Sequence, residues 1–374
     1  MNKRMLLLSL VIIITFIGGF FAGTLFPTHD SEKIKIGNLP QSNKQTKQKD
    51  VPQLTEEKVL IGYVQDYRDP NKIPYDQLTH VIFSFAHPTK DGQLLFNGEQ
   101  PVSNLRTITA KAHATNTKVM LAIGGWYHIH GGESYSYFKA AIATPNTRQK
   151  LVQEINRVVQ QENLDGIDID FEHPRSKEDA QYLAAFVKDL RGVLKDKELS
   201  IAVNAKIHSV AGTEINNVIY EPSMFANVDH VNIMAYDGQW DGEYNAANLS
   251  PYKFNEQIVN YWTKLFEANQ LSKEKLVLGI PSYAQPEDPN IKQVSYSAII
   301  NANPANAGTD KVALNGTIYH YNGTNTVQKK VDLALQNGLG GMMLWEVGLD
   351  AEGANSLSSV IAKKIESNNL YTLK

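Results

Sequence analysis

Residues 164–172 read Leu-Asp-Gly-Ile-Asp-Ile-Asp-Phe-Glu. Successive side chains of a β-strand point to opposite faces, so Asp168, Asp170 and Glu172 share one face while Ile167, Ile169 and Phe171 share the other. The apolar face suits a covering layer of helices. The three carboxyls then point into the interior of a closed sheet, with Glu172 nearest its open end.

Seven further apolar, β-branched runs flank this one: VLIGYVQ (59–65), HVIFSFA (80–86), KVMLAIGG (118–125), LSIAVNA (199–205), HVNIMAYD (230–237), LVLGIPSY (276–283) and GGMMLWEV (340–347). Runs this apolar are typical of parallel strands covered on both faces. The segments between them are helical in pattern: TRQKLVQEINRVVQQ spaces Leu151, Ile155, Val158 and Val159 along one helix face. Eight strands joined by helices predict an α/β fold, a (β/α)8 TIM barrel, with its site at the C-terminal ends of the strands. A doubly wound open sheet is the runner-up, although no glycine-rich phosphate fingerprint follows any strand.

The ends and the composition narrow the setting. Lys3 and Arg4 precede an uncharged apolar run from Met5 to Phe26. Residues 1–26 therefore read as a signal anchor or a cleaved signal peptide, and either would export the rest of the chain. Residues 27–57 are rich in Lys, Gln, Ser, Thr and Asn and read as a flexible linker; residues 58–374 form the barrel domain. The expected location is extracellular, secreted or tethered to the outer face of a bacterial membrane. The membrane is a partner only if the segment stays uncleaved. A net charge of −3 leaves no electrostatic footprint for nucleic acid, and the absence of cysteine excludes disulfides and thiolate metal sites.

Burying several carboxyls in a row raises the pKa of at least one, because like charges in a dry interior cannot all ionise easily. A carboxylic acid still protonated near neutral pH is what cleavage of a glycosidic bond requires, since the leaving oxygen must be protonated. Glu172 is the best-placed donor and Asp170 its natural partner. On spacing alone two other readings stay open, an oxygen-rich cation site and a purely structural acidic strand. The calcium-loop pattern, however, has a glycine turn in mid-loop where this segment has isoleucines.

LDGIDIDFEHP resembles the DGxDxDxE signature of the chitinase-like family 18 glycoside hydrolases. AIGGW (122–126), MAYD (234–237), GIPSY (279–283) and GGMMLWEVGLD (340–350) resemble further family motifs in the family's order. The resemblance covers roughly residues 58 to 365. It implies that Glu172 is the general acid/base, that Asp170 orients the substrate's acetamido group and that Asp168 shares a proton with Asp170. It gives Tyr236 a hydrogen bond to the acetamido oxygen and sets Asp237 beside the sugar at the cleavage point. Trp345 would stack beneath that sugar, Trp126 would line a neighbouring subsite, Met234 would line the interior and Tyr63 would bond to the acidic strand from below. The implied mechanism is substrate-assisted, one of the exceptions to the two-carboxylate scheme, and uses no metal or organic cofactor.

Three departures from the family pattern bear on this. Ala122 occupies the place of a serine whose hydroxyl often supports the innermost Asp. Gln285 occupies the place of a common arginine. The stretch from Tyr283 to Gly340 is too short for the full α+β insertion of some relatives, which predicts a shallower cleft. His173 is expected to line the site, Trp240 is a candidate for the cleft wall, Trp262 is expected in packing, and His128, His130 and His173 lack metal-ligand spacing. The expected partner is an N-acetylglucosamine-containing polysaccharide or glycan. The expected activity is chitinase-like, the alternatives being an endo-β-N-acetylglucosaminidase on N-glycans or wall glycans, and a non-catalytic chitin-binding lectin.

Overall fold

The computed structural model describes residues 58–208, 218–238 and 244–372. The N-terminal segment, the linker and Trp240 lie outside them. Each apolar run forms a strand: β1 (Val59–Gln65), β2 (His80–Pro88), β3 (Lys118–Gly124), β4 (Gly166–Asp170), β5 (Glu198–Asn204), β6 (His230–Met234), β7 (Leu276–Pro281) and β8 (Gly341–Trp345). All eight pair in parallel in the order β1-β8-β7-β6-β5-β4-β3-β2, and β1 pairs with β2 to close the ring. The open doubly wound sheet is thereby excluded.

Helices cover the outside because their sequences bury one stripe each. Residues Pro145–Gln161 form a helix whose buried stripe includes Leu151, Val152, Ile155, Val158 and Val159, and Thr144 caps it by accepting from Thr147 N at 3.3 Å. Lys177–Leu194 is capped the same way, Ser176 Oγ accepting from Asp179 N at 3.1 Å. Phe171, on the outward face after β4, packs against Phe138 at 4.9 Å between ring centroids and Tyr135 at 5.7 Å. Trp262 is fully buried in the helix Tyr252–Ala268 and donates from Nε1 to Asn204 O at 3.2 Å, in keeping with a packing role.

Inside the ring, Ile61, Tyr63, Ile82, Met120, Ala122, Tyr236, Val277 and Met343 form the buried cluster, with Phe85, Met234 and Trp345 packed against it on the site side. Between β7 and β8 the short segment builds an abbreviated α+β unit. Its antiparallel strands run in the order Val294–Ser295, Tyr283–Pro286, Thr317–His320, Lys311–Leu314, with the helix Tyr296–Ala302 between the outer pair in sequence. Among the described residues no helix is long and apolar enough to cross a membrane.

Candidate active site

The acidic strand has the alternation its sequence demands. Asp168 pairs in register with Ala122 on β3 and with Ser200 on β5. It is fully buried and saturated with donors: Ser200 Oγ at 2.5 Å and Asn232 Nδ2 at 3.1 Å on Oδ1, and the Tyr63 hydroxyl at 3.0 Å on Oδ2. Asn232 Nδ2 also donates to Tyr63 Oη at 2.9 Å, which frees the phenol hydrogen for the carboxylate. Burial pushes Asp168 up to about 6 against the pull of these bonds. The support expected from a serine at position 122 comes instead from Ser200, on the opposite neighbouring strand.

Asp170, two residues on, is 3 % exposed, and its Oδ1 is buried without a hydrogen-bond partner. Its pKa is raised well above the ordinary carboxylate range, first by burial and then by the charges of Glu172 and Asp168. The close approach behind it is made possible by glycine. Gly125 N donates to Asp170 O at 2.9 Å, and a Cβ on Gly124 (φ 119°) would sit 2.1 Å from that same oxygen.

Glu172 lies two residues beyond the last paired residue of β4 rather than within the strand, and it is half-buried. Burial, then the nearby Asp237 carboxylate, pushes its pKa up to about 7. Asp237 also lies past the end of its strand, at φ 55°, and faces water on one side. The protein walls around it push it up to about 6, while the Tyr283 hydroxyl, donating at 2.6 Å, pulls it down. Gln285 Nε2 donates to the same oxygen at 3.0 Å, so the residue in the arginine's place still reaches the site.

Tyr236 is buried at the mouth. Burial and then the carboxylates Asp170, Asp237, Glu172 and Asp168 raise its pKa well above the ordinary value, which keeps it a neutral donor. Trp345 ends β8 edge-on to Tyr63 at 5.6 Å and tilted against Phe85 at 5.8 Å. Trp126 is half-buried and tilts against His173 at 5.9 Å. His173 is held neutral, its pKa lowered to about 4 by burial and by Arg175. His128 uses both ring nitrogens on backbone groups, Nε2 on Pro88 O and Nδ1 on His130 N.

The structure thus gathers Asp168, Asp170, Glu172, Tyr236, Asp237, Met234, Trp345 and Tyr63 around the C-terminal mouth and interior of the ring, with Trp126 beside them through His173. Sequence reasoning missed Ser200, Asn232, Phe85 and Tyr220, the last of which feels the charges of Glu172 and Asp170. Ser200 and Asn232 had a readable signal: each is a polar residue at an inward position of an otherwise apolar strand. The arrangement offers a carboxyl of raised pKa at the mouth, a dry carboxyl oxygen beneath it, neutral phenol donors and aromatic faces.

The family model described as Glycosyl hydrolases family 18 matches residues 59–350. A chitinase-like effector of Moniliophthora roreri is 29 % identical over 244 residues, which is 59 % of this chain and 56 % of that protein. Endochitinase 1 of Metarhizium robertsii is 25 % identical over 361 residues, 81 % of this chain and 82 % of that one. Among solved structures, the GH18 chitinase ChiB of Flavobacterium johnsoniae superposes with a TM-score of 0.68 at 27 % identity, covering 84 % of this chain and 96 % of its own.

Proposed function

The chain belongs to the family 18 glycosyl hydrolases, and on that premise we propose that it hydrolyses β-1,4 bonds next to N-acetylglucosamine in chitin or chito-oligosaccharides, with Glu172 as general acid/base. The observation that carries the reading is the pairing of a Glu172 carboxyl pushed up to about 7 with an Asp170 oxygen buried and free of partners. The first can still hold a proton at neutral pH. The second is an acceptor awaiting a donor, and the N–H of an acetamido group is one.

In this mechanism the acetamido oxygen of the substrate attacks the anomeric carbon while Glu172 protonates the leaving oxygen. The C–O bond breaks and an oxazolinium ion forms. The Glu172 carboxylate then takes a proton from water as that water adds to the anomeric carbon and the bond from that carbon to the acetamido oxygen breaks, which regenerates the N-acetyl group and the acid with net retention. The intramolecular nucleophile supplies the advantage of proximity, an effective molarity on the order of 10⁵–10⁸ M. Asp170 orients the acetamido group and, sharing a proton with Asp168, accommodates the changing charge. Tyr236 donates to the acetamido oxygen. Trp345 floors the sugar, Asp237 borders it, Trp126 lines a neighbouring subsite, and Met234 shapes the interior. Tyr63 holds Asp168.

Within the same proposal residues 58–374 are the catalytic domain, and residues 1–26 deliver it outside the cell, secreted or tethered; the basic pair ahead of an apolar run supports this. The test is hydrolysis of chito-oligosaccharides of defined length, with the product anomer tracked by proton NMR. Release of the β-anomer is expected. Turnover of glycoproteins alone would favour a glycan-directed endo-enzyme, and binding without turnover a lectin.

A further inference from the structure

Alternation also gathers side chains at the other mouth of the barrel. His80 opens β2, Lys118 opens β3, Glu198 opens β5 and His230 opens β6. Each precedes by two residues an inward side chain (Ile82, Met120, Ser200 and Asn232), so all four point to the same interior. His80 Nε2 lies 2.7 Å and His230 Nε2 lies 3.6 Å from one carboxylate oxygen, Glu198 Oε2. The three ligand atoms lie within 4.8 Å of one another.

The hydrogen bonding behind His80 bears on what these atoms face. Its Nδ1 lies 2.8 Å from Thr79 Oγ1, a hydroxyl that accepts from Leu60 N at 3.0 Å and donates to Leu60 O at 3.1 Å. A hydroxyl has one hydrogen. Leu60 O at 3.1 Å and His80 Nδ1 at 2.8 Å compete for it; in the tautomer that sets it on Leu60 O, His80 Nδ1 is the donor and the Nε2 lone pair is open to a cation. An outer hydrogen bond of this kind is what fixes the tautomer of metal-binding imidazoles.

We propose that His80 Nε2, Glu198 Oε2 and His230 Nε2 bind a divalent transition metal of the zinc class at the base of the barrel, tying together the starts of β2, β5 and β6. Two imidazoles and a carboxylate form a three-ligand set that leaves a fourth position for water. Bond lengths of about 2.0–2.2 Å put tetrahedral ligand atoms roughly 3.4 Å apart. The His230–Glu198 spacing fits as it stands. The His80–Glu198 spacing opens by about 0.7 Å on the same bond lengths, within the swing of a Glu198 side chain that is 20 % exposed. Lys118, 51 % exposed, pairs with the other oxygen, Oε1, and competes for the carboxylate without occupying Oε2. The site lies at the opposite mouth from Glu172, one layer below Asp168, whose carboxyl the His230 charge pulls slightly down.

The test is calorimetric titration of Zn²⁺ into the chelator-stripped full chain at pH 7.5, with thermal melts in parallel. The wild type is expected to bind one equivalent saturably and to melt higher with zinc. His230→Ala and Glu198→Gln should each weaken binding at least tenfold, and Lys118→Met should tighten it several-fold by removing a competing cation. No saturable binding in the wild type would overturn the site. So would equal affinity in H230A and E198Q, which would assign the zinc to other histidines, or an unchanged or weaker affinity in K118M.

Discussion

Replacing Ser200 with alanine isolates one hydrogen bond on one buried charge. Ser200 Oγ donates at 2.5 Å to Asp168 Oδ1, inside a shell completed by Tyr63 and Asn232. Asp168 has a folded pKa of about 6, above the ordinary unfolded value near 3.9. Its protonated form therefore favours folding: that contribution is full below pH ~4 and is lost as pH rises through about 6. The Ser200 bond opposes this loss by stabilising the ionised form. A hydrogen bond to a charged group is worth roughly 1.5–3 kcal/mol and one between neutral groups roughly 0.5–1.5. S200A should thus destabilise the chain by about 1 kcal/mol at pH 5 and by about 2–3 kcal/mol at pH 8, and raise the Asp168 pKa by about one unit. Urea unfolding of both proteins at half-unit pH steps measures the difference. A destabilisation equal at pH 5 and pH 8 would refute the reasoning, because it would mean that Ser200 does not distinguish the two protonation states of Asp168.

Three other substitutions probe the mouth of the site. Glu172→Gln keeps the size of the side chain and removes the proton to be transferred, so chito-oligosaccharide turnover should fall by at least about 10²–10⁴-fold with the dissociation constant of the oligomer little changed. Asp237→Asn leaves the burial that chiefly raises Glu172 and removes the charge that adds to it; the Glu172 pKa falls part of the way, and the basic limb of the pH–rate profile should move to lower pH, which steady-state rates across pH 5–8 will reveal. Tyr236→Phe removes a neutral donor directed at the acetamido oxygen; kcat should drop by about 10²–10³-fold, the scale of losing an oxyanion-hole donor, with thermal melting nearly unchanged.

Much of this architecture was legible in the chain because period-2 alternation and parallel pairing are local rules. LDGIDIDFE carries its own orientation: once Ile167, Ile169 and Phe171 need covering, Asp168 and Asp170 have nowhere to point but inward. What was not legible depends on barrel closure. Ser200 and Asn232 reach Asp168 from β5 and β6, and nothing in LSIAVNA or HVNIMAYD says which inward acid they meet. His80, Glu198 and His230 converge only because three strand starts share one mouth, so no spacing motif announces them. The strand boundary shifted for a related reason. Glu172 reads as the end of an alternating run, yet pairing with β5 stops at Ile169 and the strand itself at Asp170. The segment between β7 and β8, too short for a full insertion, still closes a small antiparallel sheet, and its Tyr283 and Gln285 hold Asp237.

The most direct test of the account is the pH dependence of kcat/KM of the wild-type chain on a soluble chito-oligosaccharide. The basic limb should have its midpoint near pH 7, the pKa of about 7 carried by Glu172, and fall about tenfold per pH unit above it as the acid loses its proton. A rate that stays level to pH 9 would show that no carboxyl at the mouth of this barrel donates the proton.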